Sequence, residues 1–196
     1  LAWLGLAGAS AAGVFGMLIV RVGIPWWLGM LDLASALVAT VAMLLARLLL
    51  DGPRWAPGRT ARLAWAALGT LAAMHLLGIA VAGPDSFTRC LGWPLGVLDA
   101  DRWPALQWLR LGLALAAAVL IVLTAVAAAT RARTWPALCL LLAEVVLGFA
   151  LLAGAGGVGV RTAYAVVASL LFGAVAWLAG TTSVRTVVAE PALITG

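Results

Sequence analysis

Residues 111–129 run for nineteen positions without a charge, and Thr124 is their only polar side chain. As an α-helix that run is about 28 Å long, close to the ~30 Å hydrocarbon thickness of a bilayer. Comparable runs fill the chain, at 2–20, 27–50, 61–82, 105–129, 135–153 and 161–180. With 65% hydrophobic and 10% charged residues, a soluble domain of 196 residues could not hide so much apolar surface. Lipid is therefore the expected solvent, and only helices satisfy their own backbone in spans of this length. The expected fold is all-α: a polytopic integral membrane bundle of about six transmembrane helices arranged as repeated hairpins.

Breakers separate the spans: Pro25, the segment 51–59, the stretch from Pro84 to Pro104, a turn at 130–136 and the glycine-rich 154–159. They divide the chain into a first hairpin (1–50), a linker (51–60), a four-helix unit (61–182) and a C-terminal tail (183–196). Leu1 already lies in an apolar run with no basic segment before it. A signal peptide is a poor reading, and a start part-way through a longer product is expected.

Every basic residue is Arg. Arg47, Arg54, Arg59, Arg62, Arg131, Arg133 and Arg185 fall at one end of the spans. Arg21, Arg89, Arg102, Arg110 and Arg161 fall towards the other, diluted by Asp85, Asp99 and Asp101. The positive-inside rule puts the first group in the cytoplasm of a cell whose inner membrane the chain crosses. The loop bearing Cys90 then faces outwards, with Trp93, Trp103 and Trp108 suited to an interfacial belt. The formal charge of +5 reports orientation, since no basic cluster on a soluble face offers a nucleic-acid site.

Cys90 belongs to an outer loop, and Cys139 lies near the cytoplasmic end of the fifth span. Most of a bilayer separates them, whereas a disulfide needs Cα atoms within ~7 Å. No bridge is expected, and Cys139 reads as a small buried apolar residue. The chain contains no G-x-S-x-G, P-loop, C-x-x-C or H-E-x-x-H, so no catalytic residue and no metal site is assigned.

The odd-numbered spans share a pattern. Aligning Gly16, Gly78 and Gly148 brings Ala12, Met74 and Glu144 into register, with His75 one place later, and each span meets a further glycine at Gly23, Gly83 or Gly154. Three hairpins of one design follow one another, an arrangement that often frames a site between repeats.

The stretch Cys90-Leu91-Gly92-Trp93-Pro94-Leu95-Gly96 is similar to an outer-loop motif of the haem A synthase family, Cys-Pro-x-Trp-Pro-Leu-Cys. Met74-His75-Leu76-Leu77-Gly78 and Glu144-Val145-Val146-Leu147-Gly148 resemble that family's Gln-x-x-Leu-Gly. The resemblance implies that spans three to six form one four-helix half, and spans one and two the last hairpin of a preceding half. It also implies haem held by a histidine in each even helix. At those places this chain has Asp32, Leu109 and Tyr164, and Gly96 replaces the second loop cysteine. Arg110 survives from the family's His-Arg pair, and His75 is the only histidine. The family's haem ligation is thus expected to be lost and no cofactor is expected. Were haem held, His75, Arg110 and Tyr164 would be the candidates, Tyr164 as a phenolate ligand.

Ionisable residues at membrane depth are functional candidates by default. His75 and Glu144 read as half-way through their spans at matching repeat positions, able to meet across the bundle, share a proton or contact a quinone or partner subunit. The structural alternative is an uncharged Glu144 bonded to helix backbone beside a neutral His75. Asp32, near the outer end of its span, is expected to pair with Arg21 or Arg161 and to fill the vacated pocket. Arg89, Arg102 and Arg110 are candidates for an anionic headgroup or for snorkelling. Cys90, Trp93 and Pro94 form the outer-loop motif.

The reading favoured by the sequence is a haem-A-synthase-like structural or assembly subunit of a respiratory or electron-transfer membrane complex. Its expected partners are the bilayer and other membrane subunits, with quinone or lipid as small molecules. The rivals are an active haem-modifying oxidase that borrows ligands from an additional hairpin or chain, and a small proton-coupled transporter with Glu144 as carrier.

Overall fold

The structure is a computed structural model and describes residues 1–23, 25–50, 54–81, 93–94, 103–128, 131–155 and 157–185. Among the described residues, six helices are long and apolar enough to cross a membrane. They are α1 (Ala2–Val22), α2 (Trp26–Leu49), α3 (Arg59–Val81), α4 (Pro104–Ala127), α5 (Arg131–Leu152) and α6 (Val158–Ser183). The chain is an all-α membrane protein, and its spans fall within a few residues of those read from hydropathy.

Glycine and proline set the boundaries by backbone chemistry. Gly23 ends α1 at φ 86° and ψ −177°, a region essentially reserved for glycine, and Pro25 then caps α2. Pro104 opens α4, where its missing N–H and fixed φ cost nothing. At the end of α5, Gly154 has φ 89°. Its N–H donates to the Leu151 carbonyl, and the Ala155 N–H reaches back to Ala150. These are the paired bonds of a Schellman stop, and they need the left-handed residue that glycine supplies.

Two sequence boundaries shift. Residues 131–136 of the expected turn are helical: α5 starts at Arg131, and Pro136 lies inside it. The bond that Pro136 cannot donate is the one to the Ala132 carbonyl, close to the start of the helix. Helix α6 likewise begins at Val158, so the glycine-rich breaker closes early.

Consecutive helices pack as hairpins, α1 on α2, α3 on α4 and α5 on α6. Contacts of α3 with α6 and of α4 with α5 close the last four helices into a ring, and α2 lies against α3 and α6. Its approach to α6 is close: Gly180 leaves room for the Leu48 side chain. Small residues permit such contact in lipid, where packing and hydrogen bonds replace the hydrophobic force between helices. The core runs down the ring through Leu71, Met74, Ile121, Leu171 and Val175, all at most 1% exposed.

At the ring's arginine-rich end, Arg54–Trp55 (β1) pairs antiparallel with Val184–Arg185 (β2). Ser183 knits this end together. Its carbonyl accepts the Ala56 N–H at 2.8 Å, and its hydroxyl accepts the Trp65 indole N–H at 2.9 Å. The segment read as a plain linker is thus bound to the foot of α6.

Candidate functional site

The other end of the ring holds a layer of buried polar side chains, one from each helix. His75 on α3 lies six residues before that helix ends, and Arg110 and Tyr164 lie six residues into α4 and α6. At 1.5 Å per residue each is about 9 Å from its helix end. Glu144 on α5 is eight residues from the end, or about 12 Å. Helix register alone brings the four to nearly one depth. His75 therefore sits in the outer third of its helix, not half-way. All four are buried: His75 is 1% exposed, Arg110 2%, Glu144 0% and Tyr164 3%.

Two of them, Glu144 and Tyr164, hold the backbone of Trp93. The Trp93 N–H donates to Glu144 Oε1 at 3.1 Å, and the Tyr164 hydroxyl donates to the Trp93 carbonyl at 2.6 Å. One residue of the α3–α4 connection is thus gripped from α5 and from α6. A peptide group at this depth has no water to bond with, so side chains must satisfy it. The Trp93 side chain is 2% exposed and belongs to the core, and Pro94 is buried beside it. This overturns the placement of Trp93 in an interfacial belt. Trp103 and Trp108, 58% and 70% exposed, do face outwards. A side chain whose backbone is pinned inside the ring cannot reach the headgroups.

Arg110 and His75 bond to helix backbone. Arg110 Nε donates to the Met74 carbonyl at 3.3 Å. His75 Nδ1 lies 2.6 Å from the Leu71 carbonyl; a carbonyl only accepts, so Nδ1 carries the hydrogen. The Phe172 ring meets the imidazole edge-on, with centroids 6.1 Å apart. His75 Nε2 and Glu144 Oε2 are both buried with no hydrogen-bond partner among the described residues. The two residues share the ring interior and both feel the Arg110 charge, but no hydrogen bond joins them.

Other expectations fail on geometry. No ion pair links Asp32 to Arg21 or Arg161: both arginines are exposed, and Asp32 is half-buried on α2, outside the ring. The exposed arginines reach water or headgroups by snorkelling and need no partner. Cys139 is exposed on α5, not buried. Cys90, Arg89 and Arg102 lie outside the described residues.

Gln107, 5% exposed, escaped the sequence reading. It stands three residues before Arg110 on α4, and that i, i+3 spacing places both on one helix face.

These residues do not fit a haem held between two histidines. His75 has no second imidazole to face, Leu109 is 51% exposed on the outer side of α4, and the Tyr164 hydroxyl is committed to Trp93. Among the described residues no group of three or more His, Cys, Asp or Glu could hold a metal ion. Neither a family of known proteins, nor a curated protein, nor a solved structure matches the chain.

Proposed function

We propose that this chain is a non-catalytic structural or assembly subunit of a respiratory or electron-transfer membrane complex, built on a haem-A-synthase-like bundle that has lost its haem ligands. One observation carries the reading. Two of the four polar side chains that could face a cofactor, Glu144 and Tyr164, bond instead to the chain's own Trp93 backbone. A ring closed in this way keeps its packing without a prosthetic group, which suits a scaffold. Large apolar side chains such as Trp3, Val20, Val126 and Val158 remain exposed along the helices and offer surface to lipid or to neighbouring subunits. The arginine-rich end is assigned to the cytoplasm and the Trp93 end to the outer side of an inner membrane.

The test is purification in mild detergent, followed by an absorption spectrum, pyridine haemochrome analysis and mass spectrometry of whatever remains bound. Colourless protein held in a larger membrane assembly is the expected result. One haem per chain with a Soret band overturns the proposal in favour of an oxidase. Loss of proton-coupled flux into liposomes on Glu144→Gln points instead to a transporter.

A further inference from the structure

An apolar groove of about 310 Å³ runs where the α1–α2 hairpin leans on the ring. Its walls include Leu4 of α1, Val41 and Leu45 of α2, and Phe172 of α6; its floor is Trp65 and Gly69 of α3. In a bilayer such a groove does not stay empty, because an unfilled apolar gap forfeits dispersion contacts on every side. Water gains nothing there, since apolar cavities remain dry.

Gly69 lies on the floor of the groove. Like Gly16 and Gly112, it would meet nothing among the described residues within 4 Å if it carried a Cβ, so its missing side chain is not required by a close helix contact. Its effect at this position is to deepen the floor of the groove. The stripe Arg62–Trp65–Gly69–Ala72 follows i, i+3, i+7, i+10 spacing, so Arg62 continues that floor towards the arginine-rich end. Arg62 is exposed there.

We infer that this groove binds one anionic phospholipid, an acyl chain lying over Gly69 between the hairpin and the ring and the phosphate resting on Arg62. Apolar lining selects the chain, and the cationic mouth selects the headgroup, as basic positions beside transmembrane helices do. The inference stands apart from the proposed function, since a scaffold, an oxidase or a transporter could each carry the lipid.

The experiment is native mass spectrometry of the full chain, stripped of lipid in detergent and then offered phosphatidylglycerol or phosphatidylcholine. Wild type should retain one phosphatidylglycerol per chain, at least ten-fold more tightly than phosphatidylcholine. Gly69→Trp should lose that lipid, because an indole on the floor occupies the place of the acyl chain. Arg62→Gln should keep a lipid and lose the preference between headgroups. The milder Gly69→Leu and a thermal unfolding scan accompany these variants, so that loss of lipid is separated from loss of fold. Wild type that retains no lipid overturns the proposal, as do groove-filled variants that fold and bind as before; equal retention of both lipids removes the role of Arg62.

Discussion

Helix α1 buries Gly5 alone, whereas α6, built from the same Ala, Leu, Val and Gly, buries twelve of its residues. Helix α1 packs on α2 at the edge of the molecule, and α6 sits in the ring with α2, α3 and α5 around it. The difference lies in how each is held. Gly8 brings α1 against α2, where an added Cβ would come within 2.9 Å of the Ser35 carbonyl oxygen. Helix α6 is tied through polar groups at both ends, by Tyr164 to Trp93 and by Ser183 to Trp65. In lipid, apolar composition does not say which helix is central. Close approach and satisfied polar groups do.

The comparison predicts a graded set of losses. Trp93→Ala empties a core position and should cost about 3–5 kcal/mol, read as unfolding in detergent–denaturant titrations. A surface-like effect under about 0.5 kcal/mol would mean that the indole does not fill the ring. Gly8→Leu forces α1 off α2 and should cost about 1–3 kcal/mol. Hydrogen exchange should rise in α1 and stay unchanged in α6, while Gly16→Leu, with nothing within 4 Å, should be nearly silent. If exchange rises equally in both helices, edge and ring are one cooperative unit.

Glu144→Leu leaves the Trp93 N–H buried without an acceptor and should cost about 1–3 kcal/mol. Glu144→Gln keeps an acceptor oxygen and should recover most of that stability in the same titration. Tyr164→Phe is the smallest expected effect, about 0.6 kcal/mol, typical of one hydrogen bond between membrane segments. The double substitution should fall short of the sum of the two single losses, because both act through one peptide.

Much of this molecule can be read before folding. Six apolar runs broken by Gly23, Pro25, Pro104 and Gly154 give six helices, since lipid permits little else. Much of the polar layer is also legible: His75 and Glu144 stand out because ionisable groups are scarce at that depth in the spans, and Arg110 and Tyr164 through the family positions that they resemble. Their common purpose is not. Nothing in the sequence says that Glu144 and Tyr164 both reach for Trp93, because the bond is to backbone, which carries no residue signal. Asp32 misled for the same reason of depth: position along a helix does not reveal which face meets the ring. Cys139 and Trp93 exchanged places between surface and interior, since a small residue on α5 can face lipid while Trp93 is held inside the ring by its own backbone bonds.

The account rests on the Trp93 peptide being held inside the ring, and amide hydrogen exchange at that residue measures it. The N–H should be strongly protected in wild type and exchange ten-fold faster or more in Glu144→Leu, as the loss of about 1.4 kcal/mol of local protection requires. A wild-type Trp93 amide that exchanges as fast as an unstructured peptide, or one indifferent to Glu144, would contradict it.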